Sequence, residues 1–129
     1  MDVSLWPKKI VMKDIEQIYR NDFGISFYWK EGNEVVSDKI QLLFKQMGFY
    51  FSVQELNEFH DLIEECVTDH KENDTHGVKR AFDKFLLKTP YVAIDLEISP
   101  VELNSIRDLV DGSLFRLHLN EYVFGSGMN

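Results

Sequence analysis

Large apolar residues alternate with other residues in the first part of the chain, and this period of two indicates β-strands. The pattern is clearest over residues 25–30, where every second residue is large and apolar, so this segment predicts a strand. Two apolar runs, at 38–44 and 49–51, flank a short polar loop and predict a β-hairpin. Gly48 is placed to supply the positive φ that such a loop often needs.

Helical spacing occurs in two places in the first half of the chain. Apolar residues at helical intervals within 11–19 predict a short N-terminal helix. Ser52 and Glu55 have the spacing of a capping box, and apolar residues then recur every three or four positions over about four turns. This pattern predicts a long amphipathic helix that begins at Ser52, followed by a polar loop over 69–77.

The last third of the chain contains similar signals. Residues 91–99 alternate and predict a strand with one side in water. Ser99 and Glu102 again have capping-box spacing, so a second helix begins there, and Gly112 is placed to end it. Alternation within 114–124 favours a closing strand over a continued helix.

Two stretches of the chain are nearly the same. FSVQELNEFHDLI (51–63) and ISPVELNSIRDLV (98–110) share six residues over the twelve positions that begin at their serines, where average residue usage gives roughly one. The apolar runs that precede them also align, so we predict two strand–turn–strand–helix repeats at approximately 38–67 and 83–113. The repeat favours a strand over Phe82–Thr89, although the spacing of apolar residues over 78–88 also fits a helix.

Each predicted repeat has an apolar helix face and an apolar strand face that need cover. We therefore predict an α+β fold with an antiparallel sheet of about five or six strands and two helices packed on one face. The chain is expected to be a single domain over 1–129, with an N-terminal extension at 1–20 and a flexible tail at 125–129. The shared pairs Asn57/Asn104 and Asp61/Asp108 have no evident part in capping or burial.

The charge of the chain is concentrated in one segment. The formal net charge is −8, and residues 51–76 contain eight acids and only one lysine. Such a surface repels a phosphate backbone, so we do not expect nucleic-acid binding. The chain has no apolar run of membrane-spanning length, no secretory signal and one cysteine, Cys66, so a cytoplasmic protein that does not enter membranes is expected.

The segment from Cys66 to His76 holds the residues best suited to chemistry. Cys66, His70 and His76, together with Asp69 and Asp74, are ligand types that zinc accepts. Cys66 falls on the apolar side of its predicted helix, however, where a lone cysteine usually fills space. No phosphate loop or hydrolase motif is present, so we predict no catalytic, cofactor-binding or metal-ligating residue. A small-molecule or metal-binding protein, including an enzyme, that uses this segment remains the alternative.

Consecutive aromatic residues in SFYW and GFYF must lie on both faces of a sheet. We therefore predict that Tyr28, Trp29 and Tyr50 form a partner surface on the face opposite the helices. The favoured function is a small non-catalytic module that binds a protein partner, most simply a second copy in a homodimer. The alternative is that the N-terminal segment SLWPKK covers this face.

The order of these motifs resembles a family of small, uncharacterised bacterial proteins known only as a domain of unknown function. The matching parts are the strand Ile40–Phe44, the helix start Ser52–Leu56, the turn Thr89–Pro90 and the helix start Ser99–Leu103, within residues 20–120. The resemblance implies a fold and no particular activity. Members of that family often have cysteines just before the hairpin, and this chain has none there, so the resemblance implies no metal site.

Overall fold

The structure is a computed structural model that describes residues 14–35, 38–72 and 84–120. These residues form a five-stranded antiparallel sheet, a separate two-stranded sheet and two helices, which confirms the predicted α+β class. The strands are β1 (Asp14–Arg20), β2 (Gly24–Glu31), β3 (Glu34–Val35), β4 (Ile40–Phe44), β5 (Met47–Phe51), β6 (Phe85–Lys88) and β7 (Asp95–Ile98), and the helices are α1 (Val53–Glu72) and α2 (Pro100–Asn120).

The larger sheet has the order β1-β2-β4-β5, with the short β3 also paired to β2. The predicted β4–β5 hairpin is present, but its positive φ of 54° belongs to Lys45 and not to Gly48. Gly48 lies within β5, where a Cβ would come within 2.7 Å of the Leu43 side chain. A glycine is therefore required at this position because the neighbouring strand packs closely against it, and not because of the turn.

The predicted N-terminal helix is wrong for its described part, because residues 14–20 form the edge strand β1. The pairing of β1 with β2 shifts register between Gln17 and Tyr19. This bulge directs Ile18 and Tyr19, two consecutive residues, towards α2. Because Ile18 and Tyr19 follow Ile15 by three and four positions, this strand has the apolar spacing of a helix. The earlier part of the predicted helix, and the SLWPKK segment, lie outside the described residues.

The second helix does not end at Gly112, and the predicted closing strand is wrong over its described part. Helix α2 continues without interruption to Asn120. Gly112 is needed because the ring of Tyr19 lies against it, and a Cβ at this position would come within 2.4 Å of ring atoms. The next residue, Ser113, is fully buried and shares a hydrogen bond of 2.6 Å with Ser26 of β2. The predicted flexible tail lies outside the described residues.

Each helix follows an antiparallel strand pair and begins with the predicted capping box. The amide of Ser52 donates to Glu55 at 2.9 Å, and the amide of Ser99 donates to Glu102 at 2.9 Å, with the reciprocal amide-to-hydroxyl bonds at 3.1 and 3.2 Å. Residues 85–88 form a strand, as the repeat predicts, and the part of that segment before residue 84 lies outside the described residues. Because capping boxes are common, this likeness does not establish that the two units are copies, and the repeat stays a prediction.

One apolar core lies between the helices and both sheets. The sequence predicts one sheet, but the strands form two separate sheets. Tyr91 lies beside β5. Its ring stacks on Phe49 and Phe51, and its hydroxyl donates to the carbonyl of Tyr50. The core consists mainly of Ile18, Ile40, Leu42, Phe44, Phe49, Phe51, Leu56, Phe59, Ile63, Leu87, Leu96, Ile98, Leu103, Ile106, Leu109, Val110 and Leu114.

Candidate functional site

The face of the larger sheet that points away from the helices is called the outer face. Strand pairing assigns residues to it, because directly opposed residues share a face and the face alternates along each strand. Both described helices pack on the other side of the sheet, so no described helix covers the outer face. Its uncharged members are Ile15, Gln17, Ile25, Phe27, Trp29, Gln41, Leu43, Gly48 and Tyr50.

A small network holds the aromatic centre of the outer face. The ring of Trp29 stands edge-on to Phe27, with their centroids 5.1 Å apart, and Phe27 is only 3% exposed. The indole N–H of Trp29 donates to Oε1 of Gln41 at 3.4 Å. The amide of Gln41 donates in turn to the carbonyl of Phe49 at 3.3 Å. Trp29 is therefore oriented by its neighbours, which lowers the entropy it has left to lose on binding.

Exposed apolar side chains surround this centre. Tyr50, on the edge strand β5, is 42% exposed and lies directly opposite Gln41. Leu43 is 37% exposed and Ile15 is 36% exposed, the latter opposite Trp29. These exposed side chains share one face of the sheet, and the buried Phe27 and Gln41 lie between them.

Tyr28 does not belong to this surface. It lies on the helix side of β2, packs against the core and stands opposite Glu16. Burial, together with the nearby charges of Glu16 and Asp38, raises the pKa of its hydroxyl above the ordinary value of 10.0. Of the three aromatic residues expected to share one surface, the structure brings Trp29 and Tyr50 together on the outer face and places Tyr28 on the other side.

Charged residues on the outer face lie at its two ends. Arg20 is at one end of β1, opposite Ile25. At the other end, Glu31 follows Trp29 by two positions and pairs with Glu34 of β3. The middle of the face carries no charge, in contrast to the acidic surface of α1.

The Cys66–His70 part of the predicted ligand segment borders a groove of about 420 Å³ between α1 and β6. The imidazole of His70 stacks on Phe85 with centroids 5.0 Å apart. Burial and the neighbouring Asp69 raise the pKa of the Cys66 thiol above its ordinary value of 9.0, which disfavours the reactive thiolate. Cys66 and His70 thus border one groove, while Asp74 and His76 lie outside the described residues.

A third cluster joins the two helices and is missed by the sequence prediction. His60 and Glu64 are one turn apart on α1, and Asp111 reaches them from α2. Arg107 of α2 binds Glu64 with two hydrogen bonds, from Nε at 2.8 Å and from Nη2 at 2.9 Å. The spacing of His60 and Glu64 is visible in the sequence, but the approach of Asp111 depends on how the helices pack.

The structure also gives partners to three of the shared residues that have no evident part in capping or burial, Asn57, Asp61 and Asp108. Asp108 accepts hydrogen bonds from the Tyr19 hydroxyl at 3.0 Å and from the Asn21 amide at 2.9 Å, so it ties the β1–β2 turn to α2. Asp61 instead lies beside His60, and the amide of Asn57 donates to the carbonyl of Val53 within its own helix. The two aspartates have different partners, so their identity does not mark a duplicated site.

No protein-family model, curated protein or solved structure matches the chain. Within the described residues, neither helix is apolar over a length sufficient to cross a membrane.

Proposed function

We propose that the chain is a small non-catalytic interaction module that associates with a second copy of itself through the outer face. The observation that carries this proposal is that the exposed apolar side chains of Ile15, Leu43 and Tyr50 share one face of the sheet with the oriented indole of Trp29. Aromatic residues with a fixed orientation are the usual energetic centres of protein interfaces. A cytoplasmic setting, where the lone thiol of Cys66 stays reduced, belongs to the same proposal.

Charge makes a second copy a suitable partner. Two chains of net charge −8 repel each other, so they associate best through a surface that lacks acids at its centre. In a two-fold arrangement with the strands of the copies running in opposite directions, Arg20 of one copy meets the Glu31 and Glu34 end of the other. The outer face is therefore complementary to itself, which an isologous interface requires.

The size of the face predicts a weak dimer. Four strands at their normal spacing and length give an outline of roughly 15 by 20 Å, on the order of 300 Å² per copy. Stable interfaces bury about 800 Å² per partner, so the outer face, at less than half of that area, supports only a weak and transient association. We therefore expect a dissociation constant in the micromolar range.

Sedimentation velocity between about 5 and 500 µM tests the proposal. The unmutated chain should change from monomer to dimer over this range, and Tyr50→Glu should remain monomeric because it places a charge in the apolar contact. Val92→Glu is a matched control, because Val92 is a fully exposed apolar residue of the β6–β7 turn and is not part of the larger sheet. A monomer at all concentrations in the unmutated chain, or equal weakening by both variants, would refute self-association through this face.

The groove beside Cys66 supports a second candidate function, the binding of a small molecule. Its volume of about 420 Å³ falls within the range of ligand sites, and His70 and Phe85 offer stacked rings at its wall. A thermal-shift screen of small molecules tests this candidate, with His70→Ala as the comparison. Ligands that stabilise the unmutated chain and the variant equally would count against the groove.

A further inference from the structure

The cluster of His60, Glu64 and Asp111 is distinct from both the outer face and the Cys66 groove. Nε2 of His60 lies 3.3 Å from Oδ1 of Asp111 and 4.0 Å from Oε1 of Glu64. One potential ligand atom from each of the three residues lies within 4.8 Å of the others. Among the described residues this is the one place where three such atoms converge, and it combines an imidazole with two carboxylates from two helices.

The other side of the imidazole is also occupied. Nδ1 of His60 lies 3.4 Å from Oδ1 of Asp61, so one carboxylate stands at Nδ1 while Nε2 points to Glu64 and Asp111. Histidines that bind metals commonly donate their second ring N–H to a carboxylate, which fixes the tautomer and the ring orientation. The arrangement around His60 therefore reproduces an outer carboxylate, an imidazole and a convergent pair of further ligands.

We propose that His60, Glu64 and Asp111 bind one divalent transition-metal ion of the zinc type, with water completing its coordination. Zinc accepts nitrogen and carboxylate oxygen at about 2.0–2.2 Å, and tetrahedral geometry then separates two ligand atoms by roughly 3.3 Å. The observed separation between His60 and Asp111 already has this value. Glu64 has to come closer, because its Oε1 lies 4.0 Å from Nε2 of His60, and its partly buried side chain can rotate only by loosening its contact with Arg107.

The charges around the cluster act in both directions. The carboxylates of Glu64 and Asp111 converge on the same imidazole, so a cation between them would offset the repulsion of their negative charges. Arg107 opposes the metal, because its guanidinium already binds both oxygens of Glu64. We therefore expect that removal of the Arg107 charge weakens the contact between the two helices and strengthens metal binding.

Isothermal titration of the full chain with zinc chloride, after treatment with a chelator, tests this site. We expect one equivalent to bind with micromolar affinity, at least a tenfold loss in His60→Ala and in Asp111→Asn, and a roughly tenfold gain in Arg107→Gln. His70→Ala is the matched control, because it removes another partly exposed histidine of the same helix. It should leave the affinity unchanged.

The site is refuted by the absence of binding at about 1 mM zinc, by full affinity in His60→Ala, or by a loss that occurs only in His70→Ala. Histidine side-chain NMR provides an independent measurement on the unmutated chain, since zinc should shift Nε2 of His60 and leave His70 unchanged. Zinc-induced shifts at His70 alone would show that the metal binds in the groove, and they would overturn the assignment. Neither result depends on whether the chain forms dimers.

Discussion

The contact between Tyr19 and Gly112 gives a prediction whose sign depends on the structure. Glycine within a helix costs about 1 kcal/mol relative to alanine, so helix propensity alone expects Gly112→Ala to stabilise α2. In the folded chain, however, the new Cβ would lie 2.4 Å from two ring atoms of Tyr19. The same end of the ring is held by the hydrogen bond of its hydroxyl to Asp108, at 3.0 Å.

The expected magnitude follows from three effects. Overpacking of this kind costs about 1–3 kcal/mol. Displacement of the ring also loses a partly solvated hydrogen bond to a carboxylate, which contributes about 1 kcal/mol. After the gain of about 1 kcal/mol in helix propensity, Gly112→Ala should lower the free energy of unfolding by about 1–3 kcal/mol. For a chain of this size the melting temperature falls by roughly 4 °C for each kcal/mol.

Urea denaturation of a double-mutant cycle isolates the contact. In the Tyr19→Ala background the obstructing ring is absent, so Gly112→Ala should become stabilising by about 1 kcal/mol. The change of sign between the two backgrounds is the decisive result. If Gly112→Ala stabilises the unmutated chain, or has the same effect in both backgrounds, Tyr19 does not pack on α2 as described.

Two further predictions concern the start of α2. Ser99→Ala removes the hydroxyl that accepts the Glu102 amide, and it should lower the free energy of unfolding by about 0.5–2 kcal/mol in urea denaturation. Lys45 and the Ser99 amide hold the pKa of the Glu102 carboxyl below its ordinary value of 4.5, so its contribution to stability is present above that value and is lost as the pH falls through the folded-state pKa. In Glu102→Gln, the free energy of unfolding should therefore fall less steeply between about pH 5 and pH 3 than in the unmutated chain. Glu58→Gln changes a residue outside the capping boxes and should not have this effect. Equal pH dependence in the two variants would contradict this assignment.

The parts of the fold that sequence patterns predict correctly depend on local chemistry. Ser52 and Ser99 begin helices because their hydroxyls and the following glutamates satisfy backbone amides within the same few residues. The hairpin likewise follows from two short apolar runs on either side of a loop. The strand at 85–88 is predicted only by its alignment with the first repeat, because its own apolar spacing also fits a helix. These features need no knowledge of distant contacts.

The errors in the predicted elements share one physical cause, which is contact between distant residues. The bulge in β1 places Ile18 and Tyr19 on one side, so a strand has the apolar spacing of a helix. Glycine is typical of helix ends, but Gly112 lies within α2 and leaves room for the ring of Tyr19. Neither feature can be predicted until β1 and α2 are known to be neighbours.

The sequence could not show which aromatic residues share the outer face, because this too depends on contacts between distant residues. Alternation in β2 separates Tyr28 from Trp29, but it does not say which of them faces the helices. The small residues Ser26 and Ser113 decide this, because their hydroxyls meet at 2.6 Å and bring α2 close to β2. Tyr28 consequently lies on the helix side, and Trp29 lies on the outer face. The His60 cluster depends on the packing of the two helices in the same way.

The most direct test of the account is an NMR dilution series of the unmutated chain from about 500 to 10 µM. Self-association through the outer face predicts concentration-dependent shifts at the Trp29 indole N–H and at the amides of Leu43 and Tyr50, with none at the exposed acids of α1. Spectra that do not change with concentration, or shifts confined to α1, would contradict the proposal that this face joins two copies of the chain.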